Sequence, residues 1–166
     1  TNYLSSALFL VALASVGAAF VAFAGSWRAF AFARGRARGA GVASHALGIG
    51  SGLAFVGVGV TPFNLALDLH NAFVIAAFSL LLGYVVCVTI LLARNQAGAG
   101  RVAANLAYLA VVGGYVALVL FGPTFVTPRG HLLQVTGQKI VIYASMIHVI
   151  YLTLTVRRVL ADRSMA

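Results

Sequence analysis

Five long apolar runs, separated by short polar segments, constrain this chain more than any other feature of its sequence. Crossing about 30 Å of hydrocarbon takes about 20 helical residues, and the runs are close to that length. They are continuous instead of alternating in polarity, which excludes the pattern of a membrane β-barrel. The sequence therefore predicts an all-α polytopic integral membrane helix bundle, a single domain over residues 1–166 with five visible transmembrane helices. These cover about residues 4–24, 42–60, 69–92, 102–121 and 138–157.

The composition agrees with a chain that is surrounded by lipid. Hydrophobic residues make up 62% of the chain and charged residues 8%, whereas soluble domains carry about 25% charged residues. A formal net charge of +9 is also found in nucleic-acid-binding proteins, but here the basic residues lie between apolar runs. Membrane proteins carry cytoplasmic charge in that position. Because no soluble domain is visible to bind it, nucleic acid is not an expected partner.

The arginines predict an orientation in the membrane. Lys139 and Arg129 are the basic residues on one side of the predicted bundle, and the positive-inside rule makes that side the outer one. The C-terminus is then cytoplasmic, at a bacterial inner membrane. Trp27, beside the first arginine, is expected in the aromatic belt at headgroup level. The cytoplasmic side carries the other basic residues: Arg28, Arg34, Arg36, Arg38, Arg94, Arg101, Arg157, Arg158 and Arg163.

Polar residues in or beside membrane spans are the first candidates for function, because they are costly in lipid. One group lies at the predicted outer ends of the third and fifth helices, and its members are Asp68, His70, Asn71, Gln138 and Lys139. Two interpretations are open. Asp68 and Lys139 either form an ion pair that ties the two helices together, or the group forms a pocket for a lipid headgroup or small ligand.

The histidines are the candidate ligands for a cofactor. His148 lies deep in the fifth run, His70 near the outer end of the third and His45 near the inner end of the second. No two of them share a depth, which argues against a bis-histidine haem. His148 is expected to hydrogen-bond a neighbouring Ser, Thr or backbone carbonyl. Bound chlorophyll, carotenoid, haem or quinone at one of these histidines is the alternative.

Patterns typical of enzymes and metal centres are missing from the sequence. It contains one cysteine, no pair of histidines at metal-ligand spacing and two carboxylates, so neither a metal site nor catalytic residues are expected. Glycine is frequent instead. Gly48 and Gly52 are four residues apart, a spacing that lets helices approach closely in lipid. They are expected to pack inside the bundle, with a dimer or partner face as the alternative.

Three segments resemble a known family. They are "TNYLSSAL" with Asn2, Tyr3 and Ser5, "GVTPFNLALDLHNAFVIAAF" with Gly59, Pro62, His70 and Phe78, and "GQKIVIYASMIHV" with Gln138 and Lys139. The chain resembles the damage-regulated autophagy modulator and Sfk-type family of six-helix membrane proteins, together with its uncharacterised bacterial relatives. The resemblance implies a sixth helix upstream of Thr1 and implies no enzymatic activity. The eukaryotic members of that family are linked to autophagy and to plasma-membrane lipid organisation.

The sequence as a whole predicts a non-enzymatic integral membrane protein. It would be an accessory or scaffolding subunit of a larger membrane complex, or a lipid-interacting protein with bound lipid. Membrane lipids and other transmembrane subunits are the expected partners. A cofactor-binding subunit and a small transporter are the alternatives. The transporter has less support, because no internal repeat is visible and no ionisable residue other than His148 is expected at mid-membrane.

Overall fold

The computed structural model of the chain describes residues 3–61, 66–123 and 127–164, and for residues 5, 34 and 155–164 it describes the backbone alone. These residues form helices and contain no strand. All five helices are long and apolar enough to cross a membrane, which confirms the predicted all-α class. They are α1 (Tyr3–Arg34), α2 (Arg38–Val60), α3 (Leu67–Arg94), α4 (Ala99–Phe121) and α5 (Pro128–Ser164).

All five helices are longer than the sequence predicts, and the extensions are largest in α1 and α5. The prediction ends the first helix at residue 24, but α1 continues to Arg34 and stops where Gly35 adopts a left-handed φ of 72°. The prediction starts the fifth helix at residue 138, but α5 begins at Pro128, a residue favoured at the first helical position. The Thr127 hydroxyl caps this end by accepting a 3.0 Å hydrogen bond from the Gly130 amide. Much of each predicted loop is therefore helix.

The chain divides into two compact units, Thr1–Val102 and Ala103–Ala166, called unit 1 and unit 2 below. Unit 1 contains α1, α2 and α3, and unit 2 contains most of α4 and all of α5.

Small residues bring α1 and α2 of unit 1 together. A Cβ atom placed on Gly52 would lie 2.6 Å from the carbonyl oxygen of Gly17, and one placed on Gly48 would lie 2.5 Å from the Cβ of Ala24. Gly41 faces Ala31 in the same way. In these contacts the residue numbers on α2 decrease as those on α1 increase, so the two helices are antiparallel. Gly48 and Gly52 thus pack against α1, and larger side chains would force the two backbones apart.

The packing of α3 against α2 completes unit 1. The buried Ser51 hydroxyl donates a 2.9 Å hydrogen bond to the Ala77 carbonyl, and the rings of Phe55 and Phe78 meet edge to face at 5.2 Å. Interhelical hydrogen bonds of this kind hold helices together in lipid, because lipid tails are as apolar as the side chains and provide no hydrophobic driving force. Trp27 is fully buried beside the rings of Phe23 and Phe30, so its expected place in a headgroup belt is wrong.

Unit 2 is an antiparallel hairpin of α4 and α5. Near the connection, the Gln134 amide donates a 3.0 Å hydrogen bond to the Leu118 carbonyl. A Cβ on Gly137 would lie 3.0 Å from the Tyr115 ring, so Gly137 allows that ring to lie close to α5. Two further side-chain hydrogen bonds join the same pair of helices farther from the connection.

Candidate functional site

Four polar side chains meet between α4 and α5, and we call them the α4–α5 polar cluster: Asn105, Tyr108, Ser145 and His148. His148 Nε2 lies 2.9 Å from Asn105 Oδ1, and the Tyr108 hydroxyl lies 2.7 Å from Ser145 Oγ. The imidazole of His148 also stacks on the Tyr108 ring, with centroids 4.1 Å apart. Each helix contributes two residues three positions apart, a spacing that places both on one helix face.

The direction of each hydrogen bond in the cluster follows from the number of hydrogens available. The hydroxyl of Ser145 donates to the Val141 carbonyl at 2.6 Å, which uses its only hydrogen. Tyr108 must therefore donate to Ser145. Because Asn105 Oδ1 is an acceptor, His148 Nε2 carries a hydrogen and donates to it. The cluster is a directed network that satisfies polar groups within a membrane-spanning hairpin.

This arrangement bears on the candidate cofactor ligand His148. A metal that approached its Nε2 would have to displace Asn105, and the Tyr108 ring lies against one face of the imidazole. The hydrogen bond expected for His148 is present, but its partner is an Asn side chain instead of a Ser, Thr or backbone carbonyl. Sequence reasoning missed Asn105, Tyr108 and Ser145, although the pairs Asn105–Tyr108 and Ser145–His148 share a three-residue spacing.

The predicted outer polar group is distributed over both units. His70 Nδ1 donates a 2.7 Å hydrogen bond to the Thr61 carbonyl, which joins the end of α2 to the first turn of α3. Asp68 is exposed in that same first turn, where the helix dipole favours a carboxylate, and Asn71 follows it half-buried. Gln138 and Lys139 belong to α5 in unit 2. Pairing of Asp68 with Lys139 stays a prediction.

His70 and His45 have different surroundings. A histidine whose Nδ1 donates to a backbone carbonyl is oriented as metal-ligating histidines commonly are, so His70 keeps the cofactor alternative open. His45 lies beside Arg28 and Phe32 on a cleft of about 330 Å³, and its buried Nδ1 has no hydrogen-bond partner in the described residues. Within that same part of the chain, no three His, Cys, Asp or Glu residues are grouped so as to hold a metal ion.

The end of unit 1 formed by the end of α1, the start of α2 and the end of α3 is strongly basic, and we call it the arginine-rich end. The guanidinium groups of Arg28 and Arg38 each lie over the Phe32 ring, 5.8 and 5.7 Å from its centroid. Arg36 and Arg94 line a second cleft, of about 610 Å³. In residues 1–102 the only acidic residue is Asp68, at the start of α3 and thus at the opposite end of that helix.

Comparison of the chain with protein-family models, curated proteins and solved structures found no significant match. The resemblance to the autophagy-modulator and Sfk-type family therefore stays a prediction. Two of the residues that carry it, Asn2 and Pro62, lie outside the described residues.

Proposed function

We propose that this chain is a non-enzymatic, lipid-interacting integral membrane protein that binds anionic lipid at its arginine-rich end. In this proposal that end faces the cytoplasm of a bacterial inner membrane, as the positive-inside rule favours.

The distribution of charge in unit 1 carries the proposal. Arg28, Arg36, Arg38 and Arg94 lie at one end of the unit, while its single carboxylate, Asp68, lies in the first turn of α3 at the other. Basic residues near a membrane surface attract anionic lipid by about 1 kcal/mol each, and the attraction decays within a Debye length. Because no carboxylate of the unit lies nearby to neutralise these arginines, anionic headgroups are the natural counter-charge.

Lipid competition tests the proposal. The protein is purified in detergent with equal amounts of phosphatidylglycerol and phosphatidylcholine, and the lipids it retains are counted by native mass spectrometry. We expect preferential retention of phosphatidylglycerol that weakens as salt rises, and no change in a Lys139→Gln control. Equal retention of the two lipids at low salt would contradict the proposal.

A second candidate, an accessory subunit, is favoured by one exposed stripe on α5. Its side chains recur three or four positions apart and are 50–69% exposed: Ile140, Tyr143, Ile147, Ile150 and Leu154. This is the spacing at which one helix packs along another. Such a stripe fits a transmembrane helix of a partner subunit as well as it fits lipid.

Cysteine cross-linking in native membranes distinguishes these two occupants. In a Cys87→Ser background, Ile147→Cys places a thiol on the stripe, and Met146→Cys places one at a similarly exposed position just off it. A defined cross-linked product from Ile147→Cys alone supports the accessory-subunit candidate. If neither variant forms a cross-linked product, lipid is favoured as the neighbour of this face.

A further inference from the structure

We propose that the cleft between the start of α2 and the end of α3 binds the phosphate headgroup of one anionic phospholipid. This inference rests on the proposed lipid-binding function and assigns it a site. The cleft has a volume of about 610 Å³, within the range of about 300–1,000 Å³ typical of small-molecule pockets. Its lining consists of Arg36, Ala37, Gly39, Ala40, Ile90 and Arg94.

Among the arginines at this end whose side chains the structure describes, Arg36 and Arg94 are the two that line the cleft. Arg28 and Arg38 lie over the Phe32 ring, and Arg101 donates a 2.9 Å hydrogen bond to a backbone carbonyl. Arg36 and Arg94 make no ion pair or hydrogen bond within the described residues. Asp68 precedes Arg94 by 26 positions on α3, which corresponds to about 39 Å along the helix. A guanidinium group binds phosphate in a bidentate fashion, and two that share one cleft can bind a single phosphate.

The backbone at the start of α2 adds hydrogen-bond donors to the same cleft. The first amides of a helix lack partners within it, and no side chain caps α2. Gly39 and Ala40 belong to this first turn and line the cleft. A Cβ placed on Gly39 would find no atom within 4 Å, so an anion can approach the backbone there.

An apolar surface continues from the cleft along α3 and points to a lipid instead of a free anion. Ile90 lines the cleft one turn before Arg94, about 6 Å along the helix. Val86 lies one further turn along, and the two side chains are 43% and 40% exposed. A phospholipid with its phosphate between the arginines would lay an acyl chain along Ile90 and Val86. This layout matches a polar headgroup followed by hydrocarbon.

Charge-neutralising variants locate the site. We compare the wild-type protein, the Arg36→Gln/Arg94→Gln double variant and an Arg101→Gln control that removes a charge in the same unit outside the cleft. Binding is measured by native mass spectrometry with phosphatidylglycerol in mixed micelles. Loss of two charge-assisted contacts should weaken the affinity for the tightest-bound phosphatidylglycerol by at least about tenfold. The Arg101→Gln protein should keep the wild-type affinity. Equal weakening in both variants overturns the cleft but leaves the general lipid proposal standing.

A second variant separates loss of the site from loss of the fold. Gly39→Asp introduces a carboxylate into open space at the start of α2. The helix dipole stabilises a carboxylate there, but the carboxylate competes with a bound phosphate. We expect unchanged or higher thermal stability together with lost phosphatidylglycerol binding. Retained binding in a folded Gly39→Asp protein overturns the proposal. So does displacement of phosphatidylglycerol by millimolar inorganic phosphate, because it would mark a site for a free anion. If the wild-type protein does not prefer phosphatidylglycerol over phosphatidylcholine, both proposals fail.

Discussion

At the scale of single residues, Asn105 and His148 illustrate what a polar side chain requires within a membrane-spanning hairpin. Both are buried, Asn105 completely, and they share a 2.9 Å hydrogen bond. An unsatisfied polar group in hydrocarbon is costly, so each residue stabilises the burial of the other. The network therefore fixes the register of α4 against α5 more firmly than apolar contacts alone.

We expect Asn105→Ala and His148→Ala to destabilise the protein non-additively. Interhelical hydrogen bonds in membrane proteins contribute about 0.6 kcal/mol on average and up to about 1.7 kcal/mol, and the coupling energy should fall in that range. It is measured as the free energy of unfolding in a detergent titration. The control pairs Asn105→Ala with Thr153→Ala, since the Thr153 hydroxyl bonds within its own helix. Additive effects in the Asn105–His148 cycle would contradict the network.

The same hydrogen bond predicts the outcome of a spectroscopic test for a cofactor. Because Nε2 of His148 is engaged by Asn105, we expect no visible absorption band that depends on His148. The spectrum of protein purified from native membranes is compared with those of His148→Leu and an exposed-site control, His131→Leu. A haem or chlorophyll band that disappears in His148→Leu and persists in the control would show that the histidine ligates a metal.

The sequence reveals the candidate His148 but not its surroundings. A histidine in an apolar run stands out because it is ionisable, whereas Tyr108 is a common residue of a long hydrophobic helix and the polar Asn105 gives no indication of its partner. Their role depends on which face of α4 meets α5, and the apolar pattern of a lipid-exposed helix does not define that face. The polarity of Asn105 and the three-residue spacing on both helices are the signals that the sequence offers, and interpreting them requires the register of the hairpin.

At the scale of helices, the contact between α1 and α2 depends on residues without large side chains. Gly52 faces the Gly17 carbonyl, a backbone atom that cannot rotate away, so even a methyl group must separate the helices. Close backbone approach also strengthens van der Waals contact, which replaces the hydrophobic driving force that lipid removes. The glycines of α2 are therefore structural elements of unit 1.

Gly52→Ala should lower the free energy of unfolding by about 1–3 kcal/mol, the usual cost of overpacking. The matched control is Gly114→Ala in α4, where an added Cβ meets no atom within 4 Å. There alanine should be neutral or stabilising by up to about 1 kcal/mol, because it favours a helix more than glycine does. Thermal unfolding of both variants in one detergent provides the measurement. A Gly52→Ala protein as stable as wild type would contradict the close contact.

The number of helices followed from the apolar runs, but the end of α1 and the start of α5 did not, for a physical reason. Hydrophobicity indicates which residues lie in lipid, whereas backbone conformation decides where a helix stops. α1 passes Trp27 and continues because its face there is buried, and it ends only at Gly35. α5 starts at a Thr–Pro cap about ten residues before its apolar run. Gly35 and the Thr127–Pro128 pair are the sequence signals that mark these two ends.

At the scale of the whole molecule, acidic residues are so rare that each is informative. The chain has two carboxylates, Asp68 and Asp162, against eleven basic residues. Within unit 1, the dipole of α3 has a favourable charge at each end, with Asp68 in its first turn and Arg94 in its last. The helix dipole accounts for a carboxylate in the first turn of α3, but Asp68 could also pair with a basic residue of another helix. The sequence places both Asp68 and Lys139 of unit 2 beside the predicted outer membrane surface. This shared position predicts an ion pair as the second role of Asp68.

The last prediction tests that role with a double-mutant cycle on Asp68→Ala and Lys139→Ala. If the two side chains pair, the double variant should be less destabilised than the sum of the singles, by about 0.2–1 kcal/mol for a solvent-accessible ion pair. The coupling should shrink as salt rises, since exposed charges are screened. A control cycle combines Asp68→Ala with Arg101→Ala, whose charge lies just beyond the other end of α3, and should be additive. Additivity in both cycles would mean that Asp68 serves α3 alone and that the polar group at the predicted outer surface is not an interhelical clasp.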